Sequence, residues 1–456
     1  MSRPNSNELT LEPMSRMMRD RGVERLFYKS LAPNDNSKNQ IYLGGEISVL
    51  NVIPSGELIE EESESKKPGA KKAQRLKAKV PLSWLDAEGS VYPAPSTQLI
   101  LYPQYPEVRL SGFLQGSSTN LGEWFNPQKK GRTLGRVLLL GVARNGHVYA
   151  HLAPPQSALS RQIPLETSLG TFGALTELQF GEDDGTQKLL SELCRIHRLG
   201  WMTGRRLDAS GDNHPCNSPN CGGYTLEAEL GITPNGFSEP DFLGWEVKTF
   251  TVANFSRIES RVTTLMTPEP DGGVYKEDGV EEFVRRFGYP DEMGRRDRLN
   301  FGGVHVAGVP HPKTGLRLTL IGYDEQSGKI QDVNAGIALM YRDTCAAIWT
   351  YRKLINHWRK KHDRAVFIPN QGESGPPRRY RYGSEALFGR GTDFELLLKA
   401  FSAGRVYYDP GIKLENASGP HCKVKRRNQF RIKAGQLESL YKEFNRQLVC
   451  AQSGPH

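Results

Sequence analysis

The sequence predicts two domains of different class: a β-rich N-terminal domain over residues 1–180 and an α/β (α+β) domain around a mixed central sheet over residues 187–450. Three observations carry this expectation. The chain has 456 residues, more than one hydrophobic core organises. Short strand-type runs broken by Gly, Pro, Asn and Asp fill the first part. Past a turn-rich boundary, helical and strand patterns alternate.

In chain order, NQIYLGGEISVLNVI, QLILYP, VRLSGFL, RVLLLGVA and HVYAHLA read as the strands of the first domain, and a barrel or sandwich fits them. Between the first two, residues 60–79 (EEESESKKPGAKKAQRLKAK) form an acidic-then-basic stretch with little to bury. It reads as an exposed loop or flexible insert. The segment 154–186 is the boundary, and TQKLLSELCRIHRL opens the second domain as a helix with apolar residues at helical spacing. AGIALMYRDTCAAIWTYRKLINHWRKK carries a long helical pattern, and GTDFELLLKAFSAG is a further helix closed by glycine. GWEVKTFTV, LRLTLIGY, RAVFIP and RVYYDP supply strands for the mixed sheet.

The net charge of +9 favours a polyanionic partner, because Lys and Arg displace condensed counterions from a phosphate backbone. A basic enzyme without such a partner is the alternative. No stretch approaches the roughly 20 apolar residues of a membrane span, and MSRPNSNELT lacks the apolar segment of a secretory signal, so a cytoplasmic protein is expected. The six cysteines are too sparse for a disulfide-stapled scaffold and suit reduced thiols or metal ligands.

Chemistry concentrates in GGYTLEAELGITPNGFSEPDFLGWEVKTF, residues 222–250. Pro240-Asp241 precedes Glu246-Val247-Lys248, the pattern of PD-(D/E)xK nucleases. On a strand, Glu246 and Lys248 project from one face while Val247 points into the core. Gly244 supplies a bulge or tight bend that returns the Asp241 carboxylate to the same edge. Phosphodiester hydrolysis needs an activated water, neutralised phosphate charge and a stabilised leaving oxygen. Asp241 and Glu246 suit Mg²⁺, a hard cation that accepts few protein oxygens and retains waters, and Mn²⁺ would substitute. Lys248 can orient the attacking water and stabilise the transition state as a point charge. Glu227, on the short helix TLEAEL, can orient Lys248 or bind a second metal. The bare motif arises by chance in roughly one in seven chains of this length, so its neighbours decide.

Those neighbours, GWMTGRR, GGYTLEAELGI, EPDFLGWEVKTF and TLMTPEP in that order, resemble the catalytic region of the MvaI/BcnI restriction endonuclease family. The Glu227–Lys248 stretch is also similar to that of the mismatch-repair nickase MutH, where a helix-borne glutamate precedes the Asp, Glu and Lys. The resemblance spans about residues 187–435. It implies a PD-(D/E)xK restriction-endonuclease-like fold, Mg²⁺ dependence and cleavage of short duplex sites, in some members by a monomer that nicks each strand in turn. It places Glu227, Asp241, Glu246 and Lys248 in the catalytic positions. A later base-reading segment of the family is similar to GRVYYDPGIKLEN and HCKVKRRNQFRI, which makes Asp409, His421, Arg426, Arg427, Gln429 and Arg431 candidate DNA contacts. Arg pairs with guanine and Asp accepts from cytosine. With Lys423, Lys425 and Lys433, the arginines would equally make a phosphate-binding patch that positions without reading sequence.

Three expectations stand apart. Cys194, His197, Cys216 and Cys221 are four soft ligands that can enclose a structural zinc ahead of the catalytic helix, with His214 as a competing ligand and ordinary reduced thiols as the alternative. His305, in a glycine-rich turn, either approaches the active site or is a buried, hydrogen-bonded histidine. Trp201 and Trp245 are expected in the core rather than as base-stacking platforms.

The function expected is a Mg²⁺-dependent, sequence-specific double-stranded DNA endonuclease of restriction or antiphage type that leaves 5′ phosphates. A structure- or modification-dependent nickase and a catalytically silent DNA-binding or interaction protein are the alternatives. The N-terminal domain, with KKPGAKKAQRLKAK and NPQKKGR, reads as a DNA-reading module or a partner-binding one.

Overall fold

The computed structural model describes residues 8–35, 40–61, 74–180, 185–218, 220–233 and 241–450. Two compact units divide the chain, Met1–Asp184 and Gly185–His456.

Among the described residues, the first unit holds a seven-stranded sheet in the order Ser168–Phe172, Leu175–Leu178, Val23–Ser30, Val137–Ala143, Val148–Ala153, Leu82–Leu85, Val91–Pro93. Its pairings are antiparallel except that of Val148–Ala153 with Leu82–Leu85. A second, five-stranded antiparallel sheet runs Gln40–Gly44, Glu107–Ser111, Gln98–Tyr102, Arg75–Lys79, Ile59–Glu61. VLLLGVA lacks the alternation of a half-exposed strand because the central strand it forms is buried at all positions but one. The helix Leu11–Arg19 sets Met14 and Met18 into a core with Leu26, Leu139 and Leu178.

Two readings of this unit need correction. The run through Val49–Val52 is a short helix rather than strand, with Val49, Leu50 and Val52 buried. The charged insert is narrower than 60–79: Arg75–Lys79 forms a strand paired on both sides, with Leu76 and Ala78 buried between charged neighbours. Period-two burial of two apolar side chains, Leu76 and Ala78, outweighs the charge of the stretch. Residues 62–73 lie outside the described residues.

The second unit is built on a mixed sheet in which Glu246–Thr251 runs parallel to Arg364–Glu373, itself antiparallel to Arg379–Tyr382 and Glu385–Thr392. Tyr441–Leu448 extends the sheet beside Glu385–Thr392. The helix Thr186–Arg198 buries Leu189, Leu193 and Ile196 in a core with Trp245, Val247, Val366, Ile368 and Phe388. The glycine-closed helix is Phe394–Ser402, started by the Asp393 carboxylate accepting from Glu395 N.

The long helical pattern over residues 335–361 is a strand hairpin in its first half. Gly336–Tyr341 and Thr344–Thr350 form an antiparallel hairpin, and only Tyr351–Trp358 is helical. Arg342, at φ 53°, turns the chain between the partners Tyr341 and Thr344. Alanine-rich, aromatic sequence suits both structures locally. Packing decides: Trp349 is fully buried against Tyr408 and Phe430, with ring centroids 4.8 and 4.9 Å away.

Candidate active site

A hairpin turn brings the first two carboxylates together. Leu243 and Gly244 both have positive φ, 47° and 82°, and Phe242 and Trp245 exchange backbone hydrogen bonds of 2.9 Å across them. Two residues of positive φ close the tightest hairpin, which explains a glycine there. Asp241 enters the turn and Glu246 leaves it, so five residues of sequence become neighbouring positions. The Asp241 carboxylate accepts a 2.9 Å hydrogen bond from Val247 N, which fixes its orientation. Trp245 is fully buried, edge-on to Phe388 at 5.2 Å and beneath the Arg390 guanidinium at 4.8 Å, and so anchors the turn.

Strand alternation does the rest. Val247 points into the core while Glu246 and Lys248 share the opposite face, with Lys248 Nζ donating to Glu246 Oε1 at 2.9 Å. Glu227 lies near the end of the helix Cys221–Glu229, which is tied to the sheet by Tyr382 Oη donating to Gly222 O at 2.7 Å. At the other end Arg205 and Arg195 both grip Glu229.

Two further groups, absent from the sequence motif, complete the surroundings. Lys361 Nζ stands 3.8 Å from Glu246 Oε2. His362 is buried, stacked on Trp358 at 3.9 Å, with its ring nitrogens 3.2 Å from the carbonyls of Trp358 and Leu265. The parallel register Glu246↔Ala365 explains their presence: residues just before Ala365 emerge at the same strand end as Glu246. Pairing between distant strands leaves no mark in local sequence, although a basic KKH run directly before an apolar strand is its trace.

Electrostatics separate the acids. Burial raises Asp241 to about 6, and the Glu246 charge adds to that shift. Burial and then Glu246 also raise Glu227. Burial pushes Glu246 up too, but nearby cations, Lys248 first among them and Lys361 also, outweigh it and hold Glu246 below its ordinary value. Burial holds His362 down to about 3, so it stays neutral beside Lys248. Glu246 is thus the fixed negative charge of the group, and Asp241 the acid that ionises near neutrality.

The set fits a hard divalent cation. Glu246 Oε2 is buried without a hydrogen-bond partner among the described residues, and an orphaned carboxylate oxygen is costly unless a cation completes it. No three His, Cys, Asp or Glu side chains among the described residues close into a metal cage. Two carboxylates on one edge instead match Mg²⁺, which keeps several waters. Lys361→Ala should lower single-turnover cleavage about tenfold and shift the acid limb of the pH–rate profile upward, since Glu246 loses a cation that favours its ionised form. An unchanged profile in a folded variant would remove Lys361 from the site.

The candidate DNA contacts lie elsewhere in the same unit, on one long hairpin. Val406–Tyr408 pairs with Phe430–Lys433, and Gly411–Glu415 with Lys423–Lys425. His421, Arg426 and Arg427 are exposed, and Gln429 is half-buried. Asp409 and Arg431 form an ion pair with each other, so they meet a ligand as a unit rather than singly. Arg427 lies flat across Gly411, where an added Cβ would come within 2.5 Å of its guanidinium.

The structure does not bring the four zinc candidates together. Cys194 is joined to Cys450 and Cys216 to Cys221, which also corrects the expectation of reduced thiols. A sulfur shared in a disulfide is no thiolate ligand. His197 Nδ1 meets Tyr382 O at 2.9 Å, and His214 pairs with Asp208 at 2.8 Å. His305 is fully buried, stacked 4.2 Å from His311 and bonded to Gly303 O and Thr314 Oγ1. Trp201 is only half-buried and carries the guanidinium of Arg381 at 4.8 Å on its ring, unlike the core Trp245.

Comparison with known proteins adds a match of residues 190–441 to the model of the MvaI/BcnI restriction endonuclease family. The chain belongs to the MvaI/BcnI restriction endonuclease family. It is accordingly a restriction-type deoxyribonuclease, and DNA is its partner. Solved structures similar to this family member include restriction endonuclease MvaI in complex with cognate DNA, 17% identical over 59% of this chain and 100% of that one, TM-score 0.44. MvaI without DNA is 15% identical over 60% of this chain and 100% of that one, TM-score 0.33. The B3 domain of UbaLAI restriction endonuclease with cognate DNA is 16% identical over 37% of this chain and 97% of that one, TM-score 0.18. Curated protein sequences gave no match.

Proposed function

We propose that this MvaI/BcnI-family chain is a Mg²⁺-dependent, sequence-specific double-stranded DNA endonuclease of the PD-(D/E)xK type, acting in restriction or antiphage defence. The observation that carries the reading is the buried Glu246, with one oxygen on Lys248 at 2.9 Å and the other without a hydrogen-bond donor among the described residues. Asp241 and Glu246 would hold the cation, with Glu227 beside them. Bound Mg²⁺ supplies charge neutralisation at the scissile phosphate and a more acidic water.

The chain's own groups do the remainder. Lys248 is held in an ion pair by Glu246, so it is placed to donate a hydrogen bond toward a phosphate oxygen as negative charge accumulates there. Water attack in line with the 3′ oxygen forms the new P–O bond as the old one breaks, leaving a 5′ phosphate and a 3′ hydroxyl. Asp241, with a value about 6, ionises just below neutrality and is available as a ligand at physiological pH.

Digestion of a sequenced phage genome with Mg²⁺, followed by end mapping, tests the reaction, the site and the stagger together. Discrete 5′-phosphate ends at one sequence support it. Absence of any cutting by wild type, with Ca²⁺ still supporting DNA binding, would instead favour a silent DNA-binding protein.

For the N-terminal unit, the reading is DNA engagement through a β-rich module, supported by exposed Lys129 and Lys130 in the NPQKKGR segment. A chain lacking residues 1–184 is expected to bind specific duplex about tenfold or more weakly while its maximal cutting rate changes little. Unchanged affinity and site choice would assign this unit to a different partner.

A further inference from the structure

Asn428 is buried, although both residues before it, Arg426 and Arg427, are exposed. Burial then alternates: Gln429 half-exposed, Phe430 buried, Arg431 half-exposed, Ile432 buried. Arg427, Gln429 and Arg431 therefore share one face, and Asn428 and Phe430 the other. No regular strand covers residues 426–429. Across that gap Asp409 N donates to Gln429 O at 2.8 Å and Gly411 N donates to Arg427 O at 2.9 Å, with Asn428 between these two bonds.

What holds the Asn428 side chain is a closed polar network. Asn428 Nδ2 donates to Glu269 Oε1 at 2.8 Å and lies 2.9 Å from Tyr275 Oη. Tyr408 Oη donates to Asn428 Oδ1, and Tyr275 Oη donates to the second Glu269 oxygen. Every polar atom of the Asn428 side chain is thus engaged by groups that are themselves packed. Tyr408 is fully buried against Trp349, and Tyr275 stacks edge-on to Phe283 at 5.2 Å. Lys353 Nζ donates to Glu269 O at 2.8 Å from the Tyr351–Trp358 helix. A satisfied buried network of this kind admits one orientation of the chain and penalises others.

We propose that Asn428 is a specificity-determining positioning residue: its amide, locked by Tyr408, Tyr275 and Glu269, fixes the register in which Arg427, Gln429 and the Asp409–Arg431 pair meet DNA. This rests on the reading of that hairpin face as DNA-contacting. Base readout depends on donors placed to a fraction of an ångström, whereas phosphate contacts by mobile lysines do not. Loss of the lock should therefore relax site choice more than it slows cutting.

The test compares the full chain with Asn428→Asp, Tyr408→Phe and a double variant that combines Asn428→Asp with Glu269→Gln, at a mapped cleavage site and at its one-base variants. Asn428→Asp cannot donate and opposes one carboxylate to another. Discrimination is expected to fall about tenfold, with the rate at the mapped site within about threefold of wild type. Glu269→Gln supplies an amide that can donate to the introduced carboxylate while still accepting from Tyr275, so the double variant should recover most of the lost discrimination. Tyr408→Phe removes one hydroxyl without altering shape and should relax site choice in the same direction. Unchanged discrimination in folded Asn428→Asp and Tyr408→Phe, or an equal slowing at all sites, would overturn the proposal. Arg427→Ala is the separate control. If it alters neither affinity nor site choice, the DNA-contacting reading of the hairpin fails, whatever the other variants do.

Discussion

Lys248→Met should lower single-turnover DNA cleavage by about 10²–10³-fold while the protein still binds duplex in Ca²⁺. Lys248 is the cation nearest the most buried acid of the site, 2.9 Å from Glu246 Oε1, and only 16% of its side chain is exposed. A preorganised ammonium in so dry a position needs no rearrangement as charge develops on the phosphate, and methionine keeps most of the volume without the charge. Among the described residues, the substitution also leaves the Glu246 carboxylate with the Lys361 ammonium 3.8 Å away. Glu246 then loses the main interaction that offsets its burial, and its affinity for a proton rises. The residual activity should accordingly be displaced to higher pH. Wild-type cleavage rates from Lys248→Met across pH 6–9 would remove Lys248 from the chemistry.

Asp241→Asn is expected to act in opposite directions on activity and stability. Cleavage should fall about 10³-fold, because an amide is a poor ligand for a hard cation. Stability without divalent ions should rise at pH 8. The folded protein holds Asp241 at about 6, above the ordinary carboxylate value near 3.9, so the folded state binds this proton more tightly than the unfolded one. The stabilising contribution of the protonated acid is complete below about pH 4 and is lost as pH rises through about 6. At pH 8 the ionised carboxylate costs about 2 kcal/mol after allowance for its partial exposure. Asparagine cannot ionise, and its carbonyl can still accept from Val247 N. Thermal melts in chelator should show the variant a few degrees above wild type at pH 8, the two converging near pH 4. Added Mg²⁺ should raise the wild-type midpoint and leave the variant where it was. A variant less stable than wild type at pH 8 in chelator would contradict the assigned ionisation.

Much of the site was legible because its chemistry is local. Asp241, Glu246 and Lys248 lie within eight residues, and a glycine plus a period-two strand suffice to bring them to one edge. Lys361 and His362 were not legible, since they arrive through a strand pairing between segments more than 100 residues apart. The cysteines misled for the same reason: Cys194 meets Cys450 across almost the whole second unit, and spacing says nothing of such a partner. Residues 335–361 carry a helical pattern in sequence, yet the burial of Trp349 against Tyr408 and Phe430 made a hairpin of the first half.

By itself the sequence determined the two-part organisation, the helices that begin at Thr186 and Phe394, and the identity of the acidic residues and lysine at the turn. All of these follow from hydrophobic period, capping and turn preferences acting over a few residues. Tertiary structure alone decided that Glu246 stays ionised while Asp241 is raised, that Lys361 joins them, and that Asn428 rather than an arginine anchors the hairpin. Those outcomes depend on burial and on distances between segments remote in sequence, and proton affinity and hydrogen-bond satisfaction are set by what surrounds a group in space.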